Sequence, residues 1–138
     1  MPYSQTEQSN LNIVNNALAG SSHDFAKFFE IFVDDVEWTL AGHGPIAGTY
    51  HSKEELFSKA EEALFARFAS PLTITVVGTW ADGDKVFARI KSATTAIDGA
   101  PYRNEYMYIM DMREGRVVSG IEWLDFHAYY EIIDRVKL

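Results

Sequence analysis

From Leu72 onward the chain alternates between segments of period two and turns too short to cross a sheet. LTITVVGTW is followed by ADGD, KVFARIKSATTA by IDGAP, and YRNEYMYIMDM by REGR before VVSGIEWLD. Alternation puts every second side chain of a strand on the same face. A connection of four or five residues can only turn the chain back beside itself, because a parallel return needs a crossover of roughly a dozen residues or more. Consecutive strands joined this way specify an antiparallel sheet with one buried and one outer face.

The N-terminal half reads differently. Leu11, Val14 and Leu18 recur at helical spacing, GSS interrupts them, and Ser21 with Asp24 offers a new helix start, a hydroxyl to cap free amides and a carboxylate to favour the dipole. Phe25, Phe28, Phe29 and Phe32 then predict an amphipathic helix packed into the core. DDVEWTL changes to period two, with Val36, Trp38 and Leu40 on one face, and AGHGPIAG reads as a loop. Ser52 and Glu55 form a Ser-x-x-Glu capping box that opens a third helix to about Phe68, with Leu56, Ala60, Ala63 and Leu64 on its buried side. Asp125 before FHAYYEIIDRV predicts a short closing helix. Helices gathered first and strands later argue an α+β fold, with helices covering one face of an antiparallel sheet. A strongly curved sheet wrapped on helices leaves a cone-shaped cavity. No linker or repeat divides residues 1–138, so one domain is expected.

Composition narrows the chemistry. The absence of cysteine excludes disulfides and thiolate catalysis and removes the commonest zinc ligands. A formal charge of −8 with scattered basic residues argues against nucleic-acid partners. No run approaches the ~20 apolar residues of a membrane span, and the polar MPYSQTEQSNLN lacks the order of a signal peptide, so a cytoplasmic location is expected. Nine Phe, seven Tyr and three Trp can fill a core and still line a cavity. His23 sits at the predicted helix start, His51 before a helix cap and His127 in the tail. No two have metal-pair spacing and no HExxH occurs, so no metal site is expected. His43, in AGHGP, can reach a cavity mouth as acid, base or gate. Neither a GxSxG elbow nor a P-loop is present.

FFEIFVDDVEWTLAGHGPIAGTYHSKEEL together with YRNEYMYIMDMREGRVVSGIEWLDF resembles the SnoaL-like and ketosteroid-isomerase-like branch of the nuclear transport factor 2-like superfamily. The resemblance rests on DDVEW, the glycine-containing loop to AGTY, the helix from near Lys53, and GRVVSGIEWLD after a tyrosine-bearing strand. It implies a cone-shaped α+β roll with one pocket between helices and the concave sheet face. It also implies frequent dimerisation through the outer face.

The isomerases of this branch use a carboxylate base on the first strand, a tyrosine on the first helix and a protonated aspartate on a late strand. The match puts Leu40, or with a one-residue shift Thr39, at the base position, Asn16 near the tyrosine position, and Tyr106, to within one residue, at the aspartate position. The chain therefore departs from that steroid isomerase mechanism. Alternation supplies another acid. Tyr102, Asn104, Tyr106 and Tyr108 share one face of YRNEYMYIM; Val118, Gly120, Glu122 and Leu124 share one face of GRVVSGIEWLD. The resemblance aims Gly120, Glu122 and Leu124 at the pocket and Trp123 outward. Glu122 is then a carboxyl in an apolar, aromatic cavity, where burial raises its pKa toward neutrality.

These residues predict a cofactor-independent isomerase, cyclase or lyase acting on a small hydrophobic carbonyl compound. Glu122 supplies acid–base chemistry with Tyr106 and His43. Asn16, Trp38, Leu40, Asn104, Tyr108, Gly120 and Leu124 contact the ligand. A binding module with the same cavity is the alternative. An epoxide hydrolase of the limonene-epoxide type is disfavoured, because it needs an Asp-Arg-Asp set in the pocket and Arg89 and Arg103 fall on the outer face. The apolar outer residues Phe87, Met107, Ile109 and Trp123 predict a homodimer.

Overall fold

The computed structural model describes residues 2–22 and 24–138; His23 lies outside the described residues. Helix α1, Gln5–Gly20, begins at a reciprocal cap: the Ser4 hydroxyl accepts from the Glu7 amide and the Glu7 carboxylate accepts from the Ser4 amide. Glu7 also accepts from the Gly83 amide at 2.7 Å, which ties the helix start to a distant turn. These amides hold its carboxyl below the usual carboxylate range. At the other end the Ser21 amide and hydroxyl both donate to the Leu18 carbonyl. Ser21 therefore closes α1 and does not open the next helix.

The phenylalanine-rich segment corrects the expectation of an α-helix. Phe25–Ile31 is a 3₁₀ helix, and Phe32 already begins strand β1, Phe32–Leu40. Spacings of three fit either helix type. A 3₁₀ turn holds three residues, so Phe25, Phe28 and Ile31 line up, and only a short segment separates α1 from β1. Phe25 and Phe28 are buried and stack on each other with ring centroids 5.8 Å apart.

Among the described residues the sheet has six strands, which side by side run Gly48–Tyr50 (β2), β1, Arg116–Leu124 (β6), Pro101–Arg113 (β5), Lys85–Thr95 (β4) and Thr73–Asp82 (β3), and it stays open. Neighbours in this run pair antiparallel, whereas β6 closes on β1 in parallel. The loop AGHGPIAG gives way to a short strand, β2, Gly48–Tyr50, paired with the end of β1. The register between β5 and β6 shifts so that Asp111 faces Ser119 and Met112 faces Val117, leaving Val118 as the extra residue of a bulge. Val117 is thus the buried residue and Val118 is not, which corrects the face predicted for Val118 without disturbing Gly120 and Glu122.

Ser52 caps the next helix by accepting from the Glu55 amide. The helix is α2, Lys53–Leu56, then a π turn, Phe57–Glu61, then α3, Glu62–Phe65. Helix α4, Phe126–Arg135, starts at Asp125, whose carboxylate accepts from the amides of His127 and Ala128. The core lies between the helices and the concave face, which carries Val86, Ala88 and Ile90 from β4 and Tyr106, Tyr108 and Met110 from β5. No described helix is long and apolar enough to cross a membrane.

Candidate functional site

Glu122 is 3% exposed. It stands opposite Tyr108 of β5 on one side and Leu40 of β1 on the other. Both flanking strands turn the same face inward, so the carboxyl has no path to solvent through the sheet. The Trp38 indole Nε1 donates to Glu122 Oε1 at 2.9 Å. Gly120 lets the indole lie there: a Cβ at that position would come within 2.5 Å of the Trp38 ring and of the Ile109 carbonyl oxygen. Among the described residues no hydrogen bond reaches Oε2. Burial raises the Glu122 pKa to about 8, helped by the neighbouring Glu61 and opposed by the Trp38 hydrogen bond.

The space beside this carboxyl is nearly closed. Leu40, Leu124, Tyr106 and Glu122 line its sheet side, and Phe25, Ala60, Glu61, Leu64 and Tyr129 its helical side. Its volume of about 10 Å³ is at the lower limit for one water molecule. Any larger ligand requires the helical wall to move. The Tyr106 hydroxyl shares a hydrogen bond with Ser92 Oγ at 3.0 Å. Burial pushes its pKa well up, with the nearby Tyr102 adding to the effect, so it stays a phenol and can donate.

The other predicted residues divide. Asn104 is buried, but its amide is fully engaged: Nδ2 donates to the Tyr102 hydroxyl and the Asp125 carbonyl, while Oδ1 accepts from the amides of Glu105 and Asp125. It fastens β5 to the start of α4 and does not line the cavity. Tyr108 is buried with no hydrogen-bond partner for its hydroxyl among the described residues, stacked on Phe28 and edge-on to Trp38, with both ring centroids at 5.7 Å. Asn16 is exposed on α1 and His43 is exposed in the loop after β1; neither is brought to the cavity. At the base position of the isomerase pattern, Leu40 is apolar and lines the cavity, while Thr39 bonds Thr49 of β2. Arg89 and Arg103 are exposed on the outer face. No described group of three or more His, Asp or Glu is placed to hold a metal ion.

Sequence reading missed Glu61. It is half-buried, and its carboxyl, turned to the interior, has its pKa raised to about 7 by desolvation. The helical period puts Leu56, Ala60 and Leu64 inward and leaves position 61 off that face. In a π turn hydrogen bonds span five residues, which displaces the inward face by a residue and brings Glu61 round. Nothing in FSKAE announces that turn. Tyr129 was also missed, although it lies on the buried face of α4; its hydroxyl donates to the Ala60 carbonyl at 2.6 Å.

The family model described as a SnoaL-like domain matches residues 15–120. No curated protein sequence matches the chain closely enough to count as a relative. Among solved structures, Bal32a from a soil-derived mobile gene cassette is similar at 19% identity and a TM-score of 0.73, over 93% of this chain and 98% of that one. A candidate SnoaL-like polyketide cyclase from Jannaschia sp. CCS1 is similar at 14% identity and a TM-score of 0.74, over 99% of each chain. TerC co-crystallised with polyporic acid is similar at 18% identity and a TM-score of 0.70, over 91% of this chain and 98% of that one. At such identities the likeness shows the fold alone.

Proposed function

The chain belongs to the SnoaL-like domain family, and on that premise we propose that it is a cofactor-independent acid–base catalyst, an isomerase, cyclase or lyase, acting on a small hydrophobic carbonyl compound. One observation carries the reading: Glu122, a carboxyl with one oxygen held by Trp38, is buried in an apolar cavity with its pKa near 8. A base whose pKa lies close to the operating pH combines a useful ionised fraction with enough driving force to take a proton from carbon. Trp38 fixes the carboxylate's orientation and carries part of its charge. The Tyr106 hydroxyl then faces the oxygen on which negative charge develops. Leu40, Leu124 and Phe25 bind the apolar body. The names of similar structures, a candidate polyketide cyclase and a protein co-crystallised with polyporic acid, support looking among cyclic carbonyl compounds.

The test is turnover of a panel of small enolisable ketones, read by exchange of the α-proton for deuterium in D₂O. Wild type should exchange at least one of them faster than buffer, and Glu122→Gln should abolish that exchange while keeping the ligand's affinity. Tight binding with exchange unchanged by Glu122→Gln would instead identify a binding module.

We also infer that a second copy of the chain covers the outer sheet face. Trp80, Ile121 and Trp123 are exposed there beside Phe87, Met107 and Ile109. The patch is edged by both signs of charge, with Arg89 and Lys91 paired to Glu105. A patch carrying both signs can be its own complement across a two-fold axis.

A further inference from the structure

Resting on the reading that the Glu122 cavity is the functional site, we propose that Glu61 is its second acid–base residue. Glu61 and Glu122 hold a single proton between them, and Glu61 connects the pair to the protein's exterior. The geometry supports this in three ways. Glu61 lines two spaces at once: the inner cavity it shares with Glu122, and an outer cleft of about 340 Å³ between the 3₁₀ helix and α2. It ends the π turn that interrupts the run from α2 to α3, and π turns recur at functional sites. Its carboxyl has no ion-pair partner among the described residues.

Among the described residues the surroundings offer no free cation to neutralise two charges. Glu122 from β6 and Tyr129 from α4 line the cavity with Glu61, and Tyr102 and Tyr108 from β5 and Tyr50 from β2 lie within its electrostatic reach, all acids or phenols. On the cleft side stand Glu30, Glu54 and Lys53. The Lys53 ammonium is already taken, donating to the Phe29 carbonyl at 3.2 Å and paired with Asp34 at 3.6 Å. Two carboxyls on one small, nearly closed cavity with no counter-ion among the described residues resist double ionisation, so one proton stays with the pair and both titrate as a unit.

Such a pair suits a neutral enolisation. The Glu122 carboxylate takes the proton from the carbon next to the carbonyl, and the C–H electron pair becomes the C=C bond of an enol. The carbonyl π pair moves to oxygen, which takes the proton of the Glu61 carboxylic acid. The pair still holds one proton, now on Glu122, and no net charge has formed on the substrate. Return of that proton to the same carbon, with the enol O–H proton going back to Glu61, exchanges the carbon-bound proton; where the substrate carries a C=C bond next to that carbon the enol is a dienol, and return to its far end, with the same O–H transfer, completes an isomerisation. The ligand class that follows is a neutral ketone or aldehyde small enough to pass the cleft.

The reporter is the Trp38 indole N–H, whose chemical shift follows the charge on the Glu122 carboxyl that accepts it. It can be isolated in a W80F/W123F background, since those two indoles lie on the outer face. In a nitrogen-15 titration the Trp38 signal should move in two steps in the neutral range. Glu61→Gln should reduce this to one step with its midpoint lower by about a unit or more, because a like charge has been removed, and Glu61→Asp should restore two steps. An identical single step with and without Glu61 overturns the proposal. If Glu61→Gln does not fold, wild type labelled at the glutamate side-chain carboxyls decides: two carboxyls titrating far above the rest support the pair, and one or none refutes it. Loss of exchange in Glu122→Gln with an unmoved Trp38 titration would remove this proposal and leave the proposed function. Coupled titration with exchange untouched would leave the shared proton but remove its catalytic use together with the proposed function.

Discussion

The two faces of the sheet break the usual polarity rule in opposite directions. On the concave face, among Val86, Ile90, Met110 and Tyr106, sits a carboxyl with 3% exposure. On the convex face, between Lys85 paired with Asp111 at one end and Arg89 and Lys91 paired with Glu105 at the other, sit Trp80 and Trp123 at 47% and 43% exposure. Folding alone favours neither. A buried carboxyl costs free energy unless it is paired, and an exposed aromatic leaves burial energy unused. The inner departure is chemical in kind, because it places a titratable group where its pKa is shifted. The outer departure is one of surface area and suits association.

The sharpest break of this contrast is Glu122→Gln. The amide keeps the shape and loses the proton chemistry, so turnover should fall by roughly 10² to 10⁴ with the fold intact, measured by α-proton exchange. An unaffected rate would reduce the inner anomaly to structure.

A second measurement uses stability against pH. Unfolded Glu122 releases its proton near the ordinary glutamate value of 4.5, while the folded pKa is about 8. Between those values the folded protein binds more protons than the unfolded one, so stability must fall as pH rises through that window and level off above it. Glu61, raised to about 7, acts in the same direction. The loss is of order a few kcal/mol. Chemical denaturation at pH 5 and pH 9 should show it in wild type, and a smaller drop in Glu122→Gln, which should be the more stable protein at pH 9.

Gly120→Ala tests the packing beneath the carboxyl. The new methyl collides with the Trp38 ring and a backbone carbonyl, and overpacking of this kind costs typically ~1–3 kcal/mol. A lowered denaturation midpoint with a shifted Trp38 indole signal is the expected result. The smallest effect on the fold belongs to the outer face. Trp123→Lys should change monomer stability by less than about 0.5 kcal/mol while raising the dimer dissociation constant. Sedimentation should show twice the chain mass for wild type at micromolar concentration, and a wild-type monomer would leave the convex patch without a partner.

The sequence made the Glu122 side of the site readable and hid the Glu61 side, for a physical reason. A strand has one period, and β5 and β6 keep it across the residues that matter; the bulge at Val118 lies upstream of Gly120 and leaves Glu122 facing in. Trp38 and Leu40 follow from the same alternation in β1. The helical wall is built from three helix types, with 3₁₀ turns at Phe25–Ile31 and a π turn at Phe57–Glu61 inside an otherwise α-helical run. Each has its own period. A spacing of three cannot separate α from 3₁₀ at Phe25 and Phe28, and one inserted residue moves Glu61 to a face its position denies it. Asn104 shows another limit: its inward direction was readable, but not that four hydrogen bonds to Tyr102, Glu105 and Asp125 would engage it fully.

The hydrogen bond from the Tyr129 hydroxyl to the Ala60 carbonyl has a kinetic consequence. It is made to the π turn itself, one residue before Glu61, from a helix whose first turn is fastened to β5 through Asn104 and Asp125. The π turn is therefore latched by one phenol, and the wall around it is tied further out where Lys53 donates to the Phe29 carbonyl and Arg67 to the Val136 carbonyl. A neutral hydrogen bond of this kind is worth on the order of 1 kcal/mol net, which holds the turn shut most of the time yet lets it release often. On the proposed function, residence time inside the cavity depends in part on how readily this phenol lets go, and a ligand that offers the Tyr129 hydroxyl a better acceptor than a backbone carbonyl would hold its own door open.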